Sequence, residues 1–151
     1  MRPGARLGVD VGSVRIGVAA CDPGGILATP IETVARGRGD VERLVALAQE
    51  RAAIEFVVGL PMSLSGRAGP AVEAVEAFVR TLAHATDLPI RLVDERLTTA
   101  SAGRSLQSAG RNAKKSRAVI DQQAAVVILQ SALDAERSSN TPPGRCVRLE
   151  P

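Results

Sequence analysis

The sequence predicts one α/β domain on a mixed five-stranded sheet: three antiparallel strands, then two parallel strands linked by helices, and a closing helix. Three observations point there. GVDVGSVRIGVA at 8–19 is a glycine-punctuated hairpin. After Asp40, apolar residues at helical spacing alternate with short β-branched runs, and AAVVIL at 124–129 is apolar all round, as a helix buried against a sheet must be. With 151 residues, 45% of them hydrophobic, the chain is long enough for one well-formed core. The domain is expected over 1–137, and SSNTPPGRCVRLEP at 138–151 has the composition of a frayed, flexible tail.

In chain order, strands at 6–11 and 15–21 are joined by a short Gly12-Ser13 turn, DPGG at 22–25 is a turn, and 26–34 reads as a third antiparallel strand. Asp40 is placed to cap a helix over 40–52 that carries Val41, Leu44 and Val45 on one face. IEFVVG at 54–59 is a strand ended by Leu60-Pro61, and a polar loop leads to a helix over 71–85 with Val72, Val75, Phe78, Val79 and Leu82 on one side. His84, near its end, reads as a surface or capping residue. A strand at 90–94 runs into ERLTT, where Thr98 caps a helix ending near Gly110. RNAKKSR reads as a basic linker, and the last helix is expected over 117–137 with Asp121 in its first turn.

Strand side chains alternate faces, so Asp10 shares its face with Gly8 and Gly12, and glycines in a strand mark close approach of a ligand or another backbone. A carboxylate repels phosphate, so a phosphate-bearing ligand here needs a divalent cation between them, magnesium or manganese for oxygen donors. The alternative is a solvated Asp on an open hairpin. Ligands of such sheets bind beyond the carboxyl ends of the strands. Asp94 and Glu95 end the last strand and point opposite ways, so one of the two faces the site, and Asp121 begins the helix that packs back across it. Clustered carboxylates repel unless a cation sits among them. Asp121 alone is equally a helix-dipole partner.

The net charge is +3, and between Glu95 and Asp121 lie six cations and no acid, the composition of a phosphate-binding face. With only Phe56 and Phe78 as aromatics there is no stacking platform for single strands, which leaves shape and backbone readout of a structured nucleic acid. No apolar run approaches a membrane span, MRPGAR lacks a signal peptide's apolar segment, and Cys21, Cys146 and one His suggest neither zinc nor a disulfide framework. The expected compartment is the cytoplasm.

GVDVGSVRIGVA at 8–19, VVGLP at 57–61, VDERLTT at 93–99 and IDQQAAVVILQ at 120–130 resemble, in order and spacing, the motifs of the YqgF/RuvX family. The resemblance implies a ribonuclease H-like fold and a magnesium-dependent nuclease, assigned to Holliday junction resolution and to 5′-end maturation of pre-16S rRNA. It implies Asp10, Glu95 and Asp121 as metal-binding acids, although similar folds more often carry the second acid on the preceding strand, where this chain has Gly59. Arg15 and Arg96 fall in the motifs and either hold the scissile phosphate or pair with the acids. With Arg111, Lys114, Lys115 and Arg117 they form the expected nucleic-acid surface. The expected partner is a four-way DNA junction or precursor rRNA, and two symmetric nicks favour a homodimer. Two other readings stand beside this one: a non-catalytic nucleic-acid-binding or ribosome-assembly module, and an actin-like ATPase lobe, which begins with a similar hairpin but needs a second lobe.

Overall fold

β1 (Ala5–Val11) and β2 (Arg15–Cys21) form the hairpin, and β3 (Ala28–Ala35) adds antiparallel to β2. The structure is a computed structural model that describes residues 1–62, 69–95 and 113–147, with side chains given from residue 120 in the last segment. α1 (Asp40–Glu50) leads to β4 (Ala53–Leu60), parallel to β1, and α2 (Pro70–Ala85) leads to β5 (Ile90–Asp94), parallel to β4. α3 (Ala113–Ser139) recrosses the sheet, and β6 (Arg145–Val147) pairs antiparallel with β5. The sheet order is β3-β2-β1-β4-β5-β6.

The sheet therefore has six strands rather than five. The sixth lies inside the stretch that reads as a frayed tail: positive φ at Asn140 and Gly144 turns the chain back after α3, and three residues then find the free edge of β5. Asp40 is also corrected. It is the first helical residue, Gly39 takes the cap position in the left-handed region (φ 90°), and the Asp40 carboxylate accepts from the N–H of Gly37 and Val41 instead. The hairpin closes on a Gly12 N–H to Arg15 carbonyl bond, which puts Ser13 and Val14 at its tip rather than Gly12 and Ser13. The helix expected from Thr98 to Gly110 lies outside the described residues.

Alternation in the strands makes two cores. Leu7, Val9, Ile16, Val18, Phe56 and Val58 pack under α1 and α2, while Ala19, Cys21, Val57 and Val93 pack under Ala124, Ala125, Ile128 and Leu129 of α3. Val126 and Val127 are only half-buried, so α3 is less enclosed than its apolar run implies. Glycines let its backbone down onto the sheet. A Cβ on Gly8 would stand 2.6 Å from Leu129 Cβ and 2.8 Å from the Ala125 carbonyl, and one on Gly17 would overlap the Asp121 carbonyl. Gly17→Ala should therefore lift α3 and lower stability by about 3 kcal/mol, read as a fall in the denaturation midpoint.

The far end of the sheet is closed by ions. Arg2 donates to Glu55 (2.8 Å) and Glu136 (2.6 Å), Arg6 to Glu136 (3.1 Å), and Arg91 lies 3.4 Å from Glu55. Arg6, Glu55 and Glu136 are buried, so the N-terminal segment, β4 and the end of α3 are joined by charges out of water. Hydrogen bonds from Arg2 chiefly hold the Glu136 carboxyl well below its usual range, at about 2, and the two carboxylates push the Arg2 guanidinium upward.

Candidate functional site

The register of the sheet builds the site. Asp10 pairs with Gly17 on β2, and Gly17 pairs with Thr33 on β3. One step beyond the Val9–Val58 pair, Asp10 is level with Gly59 on β4. Thr33, Gly17, Asp10 and Gly59 thus form one row near the carboxyl end of β1, facing α3, and Asp10 is its only acid.

Two further acids reach this row from elsewhere in the chain. The main chain of α3 at Asp121 lies over Gly17, and Gln122 Nε2 donates to Thr33 Oγ1 (2.8 Å), fixing where the helix lands. Glu95, just past β5, folds its side chain over Gly59, with Oε1 3.0 Å from where a Cβ there would stand. Glu95 thereby brings a carboxylate over β4, one strand spacing of about 4.8 Å from Asp10, where β4 itself has only glycine. Asp10 and Glu95 are 7% and 6% exposed. The Asp121 side chain, 20% exposed, accepts from Arg15 Nε at 2.9 Å.

The other sequence expectations are placed as follows. Gly8 and Gly12 do not clear a space for a ligand: α3 fills the space above Gly8, and the Arg15 carbonyl lies 2.6 Å from a Cβ on Gly12, because helix packing and turn closure make the same demand for a missing side chain. Asp121 is not in the first turn of its helix. RNAKKSR is helical from Ala113, so Asp121 lies beyond the second turn, too far in for a dipole role confined to the first. Lys114, Lys115 and Arg117 stand on that helical stretch rather than on a linker. Arg96 and Arg111 lie outside the described residues.

Arg36 was not singled out by the sequence, yet it fixes the hairpin tip that follows Asp10. Its N–H donates to the Val14 carbonyl and its Nη1 to the Gly12 carbonyl (2.7 Å). The guanidinium lies 5.0 Å from the Phe78 ring centroid and Nε is 3.4 Å from Asp40. Its one mark in the sequence is its place in ARGRGD at 35–40, between the third strand and the first helix, where the strand pattern breaks. Cys21 stands apart: it is buried below Arg6 at the opposite end, and burial pushes its thiol pKa up. A cleft of about 760 Å³ also opens at that end, beside Cys21, Ile26 and Leu27, away from Asp10.

The acids make a hard, oxygen-only donor set, suited to magnesium or manganese. Among the described residues, Asp10, Glu95 and Asp121 included, no three His, Cys, Asp or Glu side chains are grouped so as to hold a metal ion together. Magnesium does not need such a group, since it is held by one or two carboxylates and keeps waters or substrate phosphate as its other ligands. Two buried carboxylates, Asp10 on β1 and Glu95 over the neighbouring strand, are the donor type such an ion takes. Among the described residues no helix is long and apolar enough to cross a membrane.

The family model "RuvX: Holliday junction resolvase" matches residues 4–135. The chain is 53% identical over 157 residues to a protein of Clavibacter michiganensis named "Putative pre-16S rRNA nuclease", covering all of this chain and 98% of that one. A Streptomyces coelicolor protein of the same name is 55% identical over 154 residues, covering 99% and 91%. Among solved structures, Thermus thermophilus RuvC matches with a TM-score of 0.52 at 13% identity, over 89% of this chain and 96% of that one. RuvC from the same organism in complex with a Holliday junction substrate matches with a TM-score of 0.55 at 12% identity, over 90% and 97%. These two share the fold. A family match over nearly the whole domain, joined to relatives above 50% identity along their full length, places the chain in the RuvX family of Holliday junction resolvases.

Proposed function

We propose that this chain is a divalent-metal-dependent endonuclease that cuts a phosphodiester in structured nucleic acid, either a Holliday junction or the 5′ end of pre-16S rRNA. The observation that carries the reading is that β1, the end of β5 and α3 bring Asp10, Glu95 and the main chain of Asp121 to one glycine-lined row of the sheet. Asp10 and Glu95 would hold a magnesium or manganese ion from the sheet side and Asp121 from the helix side. Such an ion, when bound, lowers the pKa of an attacking water and offsets charge developing on the departing oxygen. The two buried carboxylates orient by being rigidly placed, Asp10 within a strand and Glu95 against Gly59. Arg15, Arg96, Arg111, Lys114, Lys115 and Arg117 supply positive charge along the backbone of the nucleic acid. Family membership and the junction-bound relative support this reading. The protein acts in the cytoplasm, and as a homodimer where two symmetric nicks are required.

One observation favours a second reading, a non-catalytic binding module: the Asp121 carboxylate is already committed to Arg15. Incubating the purified chain with a synthetic four-way DNA junction and with pre-16S RNA, in magnesium and in chelator, separates the two. Magnesium-dependent paired nicks in the junction are expected of a resolvase, and RNA cut at the 5′ end without junction nicks assigns the activity to rRNA maturation. Binding of both without cleavage would leave the binding module.

A further inference from the structure

We infer that Arg15 is a positioning residue that holds the Asp121 carboxylate out of the cation site until a substrate phosphate takes its guanidinium over, so that metal and nucleic acid bind cooperatively. The inference rests on the nuclease reading above. Its basis is the 2.9 Å bond from Arg15 Nε to Asp121 Oδ2, at the rim of the row that holds Asp10 and over which the Glu95 side chain folds.

The two ends of this bond differ in what they can do. Asp121 is carried by a main chain pinned over Gly17 and tied through Gln122 to Thr33, so only its side chain can turn. Arg15 begins β2, opposite Ala35, with its side chain 32% exposed, so a ligand arriving from solvent reaches the guanidinium before it reaches the buried acids. A guanidinium and a divalent cation compete for one carboxylate and repel each other. Phosphate resolves the conflict, because it offers the guanidinium two oxygens in the planar geometry that it binds best. Arg15 would exchange one anion for another and Asp121 would turn to the ion. Arg15 thereby makes cation binding weak in the free protein, where, among the described residues, no three such side chains are grouped to hold an ion.

Coupling of this kind is reciprocal: phosphate must raise metal affinity by the factor by which metal raises nucleic-acid affinity. The test titrates manganese(II) alone into wild type, Arg15→Gln, Arg15→Lys and Asp121→Asn, reading free manganese by electron paramagnetic resonance, with circular dichroism confirming the fold of each. It then repeats the titration with a phosphorothioate-protected four-way junction or precursor rRNA fragment present. Without nucleic acid, Arg15→Gln should bind manganese about tenfold more tightly than wild type. Arg15→Lys keeps the charge without the planar fork and should fall between them. Wild type should gain about tenfold on adding one of the nucleic acids, and Arg15→Gln should gain little. Equal or weaker manganese binding by Arg15→Gln, or an undiminished gain with nucleic acid, overturns the inference. The Asp121→Asn arm isolates the underlying reading: with nucleic acid present, manganese affinity equal to that of wild type means that Asp121 is no metal ligand, and the metal-site assignment fails with it.

Discussion

Replacing Glu136 with Ala should cost about 3–4 kcal/mol of stability, a large share of what a domain of this size has. Glu136 is 4% exposed and accepts from Arg2 and from Arg6, which is itself wholly buried. Truncation leaves the Arg6 charge out of water with only the carbonyls of Gly4 and Arg2 as oxygen acceptors, and removing one partner of a buried pair costs far more than the pair's net contribution. The same site sets an acid limit. The Glu136 carboxyl is lowered from 4.5 to about 2 in the folded protein, so its contribution is complete above pH 4.5 and disappears as pH falls through 2. That window is worth roughly 3 kcal/mol. Denaturation midpoints measured from pH 7 to pH 2 should fall less steeply in Glu136→Gln, which starts from a lower plateau, than in wild type.

Asp10→Asn is expected to reduce cleavage by about a thousandfold, near 4 kcal/mol of transition-state stabilisation, with the fold intact. The amide keeps the shape and loses the charge. Gly17 and Gly59 flank Asp10 on its neighbouring strands, so no adjacent side chain on the row can replace its carboxylate. Single-turnover rates on whichever nucleic acid wild type cuts, beside matching thermal melts, check both halves. Loss of cleavage together with loss of the fold would make Asp10 a structural residue.

The hairpin and its lone acid were legible because a period of two, interrupted only by glycines, leaves few ways to fold. The switch to helical spacing after Asp40 identified α1 and α2 for the same reason. Less visible was what the bare glycine face is for. Gly8 is bare for α3, and only the register, in which Asp10 meets Gly17, shows that the helix crosses at Asp121. That register follows from a turn at Ser13 and Val14, and a turn one residue earlier would have set Asp10 opposite Arg15. The start of α3 was hidden by charge: Ala, Lys and Arg are good helix formers, but packed together in RNAKKSR they look like a linker. β6 is three residues without a pattern and forms only because an edge is open to it. The motif resemblance brought Glu95 forward over Asp94, and the fold supplies the geometry, a carboxylate lying over the glycine of the neighbouring strand.

The central claim is that Asp10 marks a hydrolytic centre and not merely a binding face. Its most direct test is cleavage of a labelled four-way junction and of pre-16S RNA by wild type and Asp10→Asn purified identically, each in magnesium and in chelator. Product should accumulate only with wild type in magnesium. Equal cleavage by the two preparations, or cleavage undiminished by chelator, would contradict the account.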